Sequence, residues 1–177
     1  MVHFLITAPH SSCSQKSDDV DRPHTCDYSS AAWAEKLGEY IKNYGVPSSV
    51  IYGDQPREQI DLSGPEARES KWRKRIAAKV TIPETVYIEV HSHSPSTLPG
   101  VIIKFRPTIK GKVPRWISQV HQALAQHTQV VIYDKASDSV EEYTQMDIPS
   151  VYISFEDFVG VFSESEMMDD LADALVN

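Results

Sequence analysis

No run of apolar residues in this 177-residue chain approaches the roughly 18 that a membrane-spanning helix needs, so no membrane partner is expected. The N-terminal stretch VHFLITA is too short for a secretory signal and lacks its basic flank, which makes the expected location cytoplasmic. Basic charge is also scarce: 17 Lys and Arg face 25 Asp and Glu, a net charge of -8. Phosphate binding depends on Lys and Arg displacing counterions, so no nucleic-acid partner is expected. The one basic cluster, Arg68 to Lys79, reads as the solvated face of a helix. Cysteine is nearly missing, with only Cys13 and Cys26, and a reducing compartment keeps such residues as thiols or metal ligands. Internal repeats, low-complexity tracts and Gly/Ser linkers are all lacking, so residues 1–177 are expected to form a single domain. The 41% hydrophobic content suffices for its core.

What is present is an alternation of strand-like and helix-like segments. Val2 to Ala8, Ser49 to Tyr52, Thr85 to Val90, Val101 to Phe105, Val130 to Tyr133 and Ser150 to Phe155 read as strands. Helices are expected from the Ser29 cap to Tyr44, from Gly64-Pro65 to about Lys79 and from Pro114 to near His127. A last one follows the capping-box pair Ser163 and Glu166 and carries Met167, Leu171 and Leu175. This order predicts an α/β fold: a mainly parallel, mixed sheet with helices on both faces.

In open α/β sheets the chemistry gathers beyond the carboxyl ends of the strands. There the sequence sets His10 after the first strand, His91 after Val86, Ile88 and Val90, and Glu156 after Val151, Ile153 and Phe155. Two imidazoles and a carboxylate on one edge are the donor inventory of a catalytic zinc site. Asp27, in the long loop that begins at His10, is the preferred third metal ligand, with Cys26, Cys13 and His24 as alternatives. His10, Cys13, His24 and Cys26 together also admit a structural Cys2His2 site.

The segments APHSS (Ala8 to Ser12), REQIDLS (Arg57 to Ser63) and IEVHSHS (Ile88 to Ser94) resemble, in that order, the N-formylglutamate amidohydrolase family. The C-terminal IPSVYISFEDF (Ile148 to Phe158) is similar to the end of the related zinc-dependent N-acetylmuramoyl-L-alanine amidases. Both families share a carboxypeptidase-like (phosphorylase/hydrolase-like) fold. The resemblance implies that His10, Asp27 and His91 are zinc ligands and that Glu156 is the general base and acid. Glu156 lies two positions later than a gapless match to the muramoyl amidases expects, and Ser154 holds the literal position. Arg57 corresponds to an arginine that orients a substrate carboxylate, with Arg106 or Arg68 as helpers; Asp61 belongs to the same segment and holds a neighbour. His93 has no role from the resemblance; its two readings are a hydrogen bond to a developing oxyanion or to substrate, and an exposed loop histidine. The implied activity is zinc-dependent hydrolysis of an amide bond in a small acyl-amino acid or peptide that bears a carboxylate. The final arginine of that family segment is missing, since Ser63, Gly64 and Pro65 follow Leu62. Two rivals follow: a non-catalytic binding module on the same fold, and a peptidoglycan amidase, which the lack of an export signal disfavours.

Overall fold

The structure, a computed structural model, describes residues 2–12, 26, 27, 29–57, 59–80, 84–93, 100–107, 113–157 and 164–177. Six strands form one sheet: β1 (His3–Ala8), β2 (Ser48–Tyr52), β3 (Thr85–His93), β4 (Val101–Lys104), β5 (Val130–Tyr133) and β6 (Ser150–Glu156). Their spatial order is β2-β1-β3-β6-β4-β5. The first four in that order are mutually parallel, whereas β4 runs antiparallel to β6 and β5 follows β4. The carboxyl ends of β2, β1, β3 and β6 therefore lie side by side.

Helices cover both faces, as the alternation of apolar segments predicts. Strand side chains alternate between the two faces, so each face has its own core. Ile6, Ile88, Val90, Ile153 and Phe155 pack under α1 (Ser30–Asn43), α3 (Arg115–Ala125) and α5 (Glu164–Val176). Leu5 and Tyr87 pack on the other side under α2 (Lys71–Ala77) and α4 (Asp138–Gln145), against Trp72, Ile76, Val140 and Tyr143. Among the described residues no helix is long and apolar enough to cross a membrane.

Three local readings change. The single helix expected from Pro65 to Lys79 is a 3-10 turn, Pro65–Ala67, followed by α2. Ser70 makes the break: its backbone is extended and its hydroxyl accepts the Arg73 N–H, which caps a new helix. Nor is the basic cluster wholly a solvated face. Arg73 is buried, paired with Glu142 and lying over the Tyr143 ring. Helix α4 has no counterpart in the sequence reading; its eight residues are capped by the Ser137 hydroxyl. Ser163 lies outside the described residues.

Candidate active site

His10 sits two residues beyond β1, in a turn held by close backbone approach. Gly53 donates its N–H to the Ala8 carbonyl, and a Cβ at Gly53 would lie 1.9 Å from the Pro9 oxygen. Only glycine fits there without displacing the turn. The His10 ring is buried, with Nε2 3.1 Å from both Ser63 Oγ and Asp61 Oδ1. A carboxylate only accepts, so Nε2 carries a proton, and in the neutral form of the ring the lone pair lies on Nδ1. Nδ1 is buried and has no hydrogen-bond partner among the described residues. The His10 hydrogen bond, followed by that of Ser63 and the charges of His10 and Arg57, holds the Asp61 carboxyl well below the usual carboxylate range against the cost of its burial.

His91 lies within β3 rather than after it, two residues from the strand's end. Its ring centre is 5.1 Å from that of His10. Two imidazoles bound to one tetrahedral zinc at ~2.0–2.1 Å have centres about 5 Å apart, so the spacing suits a shared ion. His91 Nδ1 donates to Asp27 Oδ2 at 2.7 Å, and Nε2 to Glu89 Oε1 at 3.0 Å. Burial alone would lower the His91 pKa, but the hydrogen bonds and charges of Asp27 and Glu89 outweigh it and push the value up to about 9. The chain's Asp27 N–H donates to the His10 carbonyl at 3.0 Å, which ties this carboxylate to the same turn. Burial raises the Asp27 pKa, and the hydrogen bond and charge of His91, with His10 and Arg57, bring it below its ordinary value.

Glu89, which the sequence reading passed over, is fully buried. Its carboxylate accepts from His91, from the Tyr87 hydroxyl at 3.0 Å and from the Ser139 hydroxyl, while Thr7 donates to the Tyr87 oxygen. A buried carboxylate needs such partners, since desolvation otherwise disfavours its charge. The signal was in the alternation: Glu89 stands two before His91 inside an apolar strand, on the same face.

The remaining assignments divide. Arg57 and His93 line a cavity of about 460 Å³ beside His91, together with Asp27, Tyr152 and Lys104. His93 Nδ1 is 2.8 Å from Ser154 Oγ. Asp61 does not line the cavity; its carboxylate serves His10 and Ser63, with Arg57 at 3.7 Å. Glu156 is directed elsewhere: its Oε2 accepts the Gly100 N–H at 2.6 Å, and the general-base position read for it is not on the cavity wall. Gly100 has a left-handed φ of 84°, and Glu156 returns its own N–H to the Gly100 carbonyl, so the glutamate fastens the start of β4. Ser154, at the literal position, does line the cavity. Of the helper arginines, Arg68 is committed to Asp138 through two hydrogen bonds, and Arg106 lines a separate pocket near Trp116. Cys26 is disulfide-bonded and not a thiol, which removes its thiolate both as the third ligand and from the Cys2His2 alternative. Cys13 and His24 lie outside the described residues.

Among the described residues no three His, Cys, Asp or Glu side chains stand ready to hold a metal ion as a group. The donor chemistry nevertheless fits one. His10 Nδ1 presents an unpartnered buried lone pair, and His91 Nδ1 and Asp27 share a proton that a cation would replace. On each ring the far nitrogen is held by a carboxylate, Asp61 or Glu89, as outer partners of ligating histidines are.

No family model matches the sequence, and no curated protein matches it. Solved structures do match in fold. An N-acetylmuramoyl-L-alanine amidase catalytic domain from Bacillus (Paenibacillus) polymyxa superposes with a TM-score of 0.58 at 14% identity, covering 99% of this chain and 97% of its own. N-formylglutamate amidohydrolase from Ralstonia eutropha gives 0.57 at 12%, covering 98% and 91%. A metallo-carboxypeptidase from Burkholderia cenocepacia gives 0.55 at 12%, covering 99% of this chain and 56% of its own. The chain thus has the α/β fold of the amidases and carboxypeptidases, with its buttressed histidine pair at the carboxyl edge of the sheet.

Proposed function

We propose that this chain is a zinc-dependent hydrolase that cleaves an amide bond in a small acyl-amino acid or peptide carrying a carboxylate. The observation that carries the reading is the meeting of His10, His91 and Asp27, with the far nitrogen of each imidazole fixed by its own carboxylate. His10 through Nδ1, His91 through Nδ1 and Asp27 would hold the ion. When bound, zinc supplies Lewis acidity, polarising the amide carbonyl and making water nucleophilic near neutral pH. The chain's own residues orient the rings and the substrate. Asp61 and Glu89 hold the two rings in orientation, and Arg57 on the cavity wall pairs with the substrate carboxylate through its planar fork. His93, on the same wall, contacts substrate near the scissile carbonyl.

The test is hydrolysis of a panel of N-formyl and N-acetyl amino acids by the purified chain. Chelation should abolish turnover and added zinc restore it, with aspartyl and glutamyl substrates preferred over lysyl ones. Full turnover by metal-free protein would end the proposal.

A second reading, a binding module that keeps the ion without catalysis, is favoured by the commitment of Glu156 to Gly100 and by Ser154 at the literal base position. It predicts zinc bound by the chain, no hydrolysis of any substrate in the panel, and unchanged properties in Glu156→Gln apart from stability.

A further inference from the structure

Helix α4 sets its first turn against the supports of both imidazoles. The first N–H groups of a helix have no partner within it. That of Ser139 donates to the Ser63 carbonyl at 3.3 Å, and the Ser63 hydroxyl is 3.1 Å from His10 Nε2. The Ser139 hydroxyl donates to Glu89 Oε2, while Glu89 Oε1 is 3.0 Å from His91 Nε2. One fully buried serine thus reaches the support of His10 through its backbone and the support of His91 through its side chain. Tyr87, at 3.0 Å, and Ser137, whose hydroxyl is 3.3 Å from that of Ser139, also donate to Glu89. Of the three, only Ser139 hydrogen-bonds to Ser63 among the described residues.

The helix is itself fixed from outside the site. Asp138 accepts two hydrogen bonds from Arg68, at 2.6 and 3.0 Å, and Glu142, one turn on, pairs with the buried Arg73 of α2. A bidentate pair of this kind fixes orientation as well as distance. Val140 and Tyr143 anchor the same helix in the core with Trp72 and Ile76. Ser139 has no capping duty, because the Ser137 hydroxyl accepts the Val140 N–H and caps α4. A hydroxyl at a fully buried position must have a partner to offset its desolvation, and here that partner is the carboxylate behind His91.

We propose that Ser139 is a positioning residue: by joining Ser63 to Glu89 it fixes the His91 ring relative to His10 and so sets the 5.1 Å separation of the two imidazoles. Groups that act together on one ligand must be held to within about 0.5 Å, which takes locked neighbours behind them. The share of Ser139 in zinc affinity rests on the reading proposed above. Its hold on the His91 ring does not.

Two readouts on the full chain test it. In ion-free protein at one pH, nuclear magnetic resonance follows exchange of the His91 Nε2 proton with water. Ser139→Ala should speed that exchange at least about tenfold over the parent, because the ring opens more often. In a competitive titration against a chelator, the same variant should bind zinc about tenfold more weakly, the low end of the losses that follow removal of outer partners. Ser139→Cys keeps a weak donor, should fall between parent and alanine variant on both readouts, and replaces the alanine variant should that fail to fold. Val140→Ala removes apolar packing from the same helix and keeps both hydrogen bonds. It should lower the melting temperature and leave both readouts at their parent values. Exchange no faster without the hydroxyl, equal acceleration by Val140→Ala, or zinc held by Ser139→Ala as tightly as by the parent would overturn the role of Ser139. A parent chain that takes up no zinc sinks the hydrolase reading instead, and the exchange rates then decide this proposal alone.

Discussion

The two faces of the sheet are built from the same strands and differ sharply. Under α1, α3 and α5, β3 and β6 present Ile88, Val90, Val151, Ile153 and Phe155, all fully buried, with Trp33 stacked on Phe155 at 4.7 Å. On the opposite face β3 carries Tyr87, Glu89, His91 and His93 in succession, and β6 carries Tyr152 and Ser154. One face is apolar up to Ser92 at the carboxyl end of β3, whose hydroxyl accepts the Ser29 N–H. The other begins apolar under α2 and α4 and turns polar toward the carboxyl ends. Apolar packing there gives way to hydrogen bonds that must all be made, because an unpaired buried group costs about 1–3 kcal/mol. Stability and site chemistry are thus separated by the two-residue period of a strand.

That separation can be broken from either side. Phe155→Ala should cost the most stability, about 3–5 kcal/mol by thermal or chemical unfolding. Zinc stoichiometry well below the transition should not change, and a loss of zinc in the folded variant would show that the faces are coupled. Next, Glu89→Gln keeps the shape of the buried group but removes its charge. It should weaken zinc binding by about 10–100-fold in a competitive titration, as losses of outer-shell partners do. Gly53→Ala forces its new methyl against the Pro9 carbonyl, so it should destabilise by about 1–3 kcal/mol and lower zinc affinity through His10. The mirror substitution on the apolar side, Gly38→Ala, meets the Val50 side chain at 3.1 Å and Ile6 and Ser48 at 3.5 Å, with no backbone atom in the way, and should be milder on both counts.

The smallest expected effect is on pH dependence in ion-free protein. The folded His91 pKa, about 9, lies above its ordinary 6.5, so its pairing stabilises fully below 6.5 and is lost as pH rises through about 9. Asp27 and Glu89 are shifted down, so their share is present above their ordinary values and is lost as pH falls through the lower folded ones. Melting temperature in chelator should therefore decline between pH 6.5 and 9. Replacing His91 with Gln should remove that decline, and an unchanged slope would show that the triad does not titrate as a unit.

Much of this was legible in the residues. The strand periods of Val2 to Ala8 and Ser150 to Phe155 each gave a strand of nearly those bounds, that of Thr85 to Val90 gave one that runs on to His93, and the α/β alternation is the observed fold. His10 and His91 could be brought to one edge because both follow apolar runs that the parallel rule aligns. What could not be read depended on contacts distant in sequence. Ser70 divides a helix whose composition alone favours continuity. The Gly100 amide draws Glu156 away across 56 residues of chain, which no strand-face argument foresees. Glu89 was within reach of periodicity, yet a carboxylate in the middle of an apolar strand is legible as a partner only once the histidine two residues on is given a role.

The central claim is that two imidazoles and Asp27 hold one divalent ion. Metal analysis of the purified chain beside His10→Ala, His91→Ala and Glu156→Gln tests it most directly. About one zinc per chain is predicted for the parent and for Glu156→Gln, and almost none for either histidine variant. A parent chain that takes up no zinc from solution, or a His10→Ala protein that keeps a full equivalent, would contradict the account.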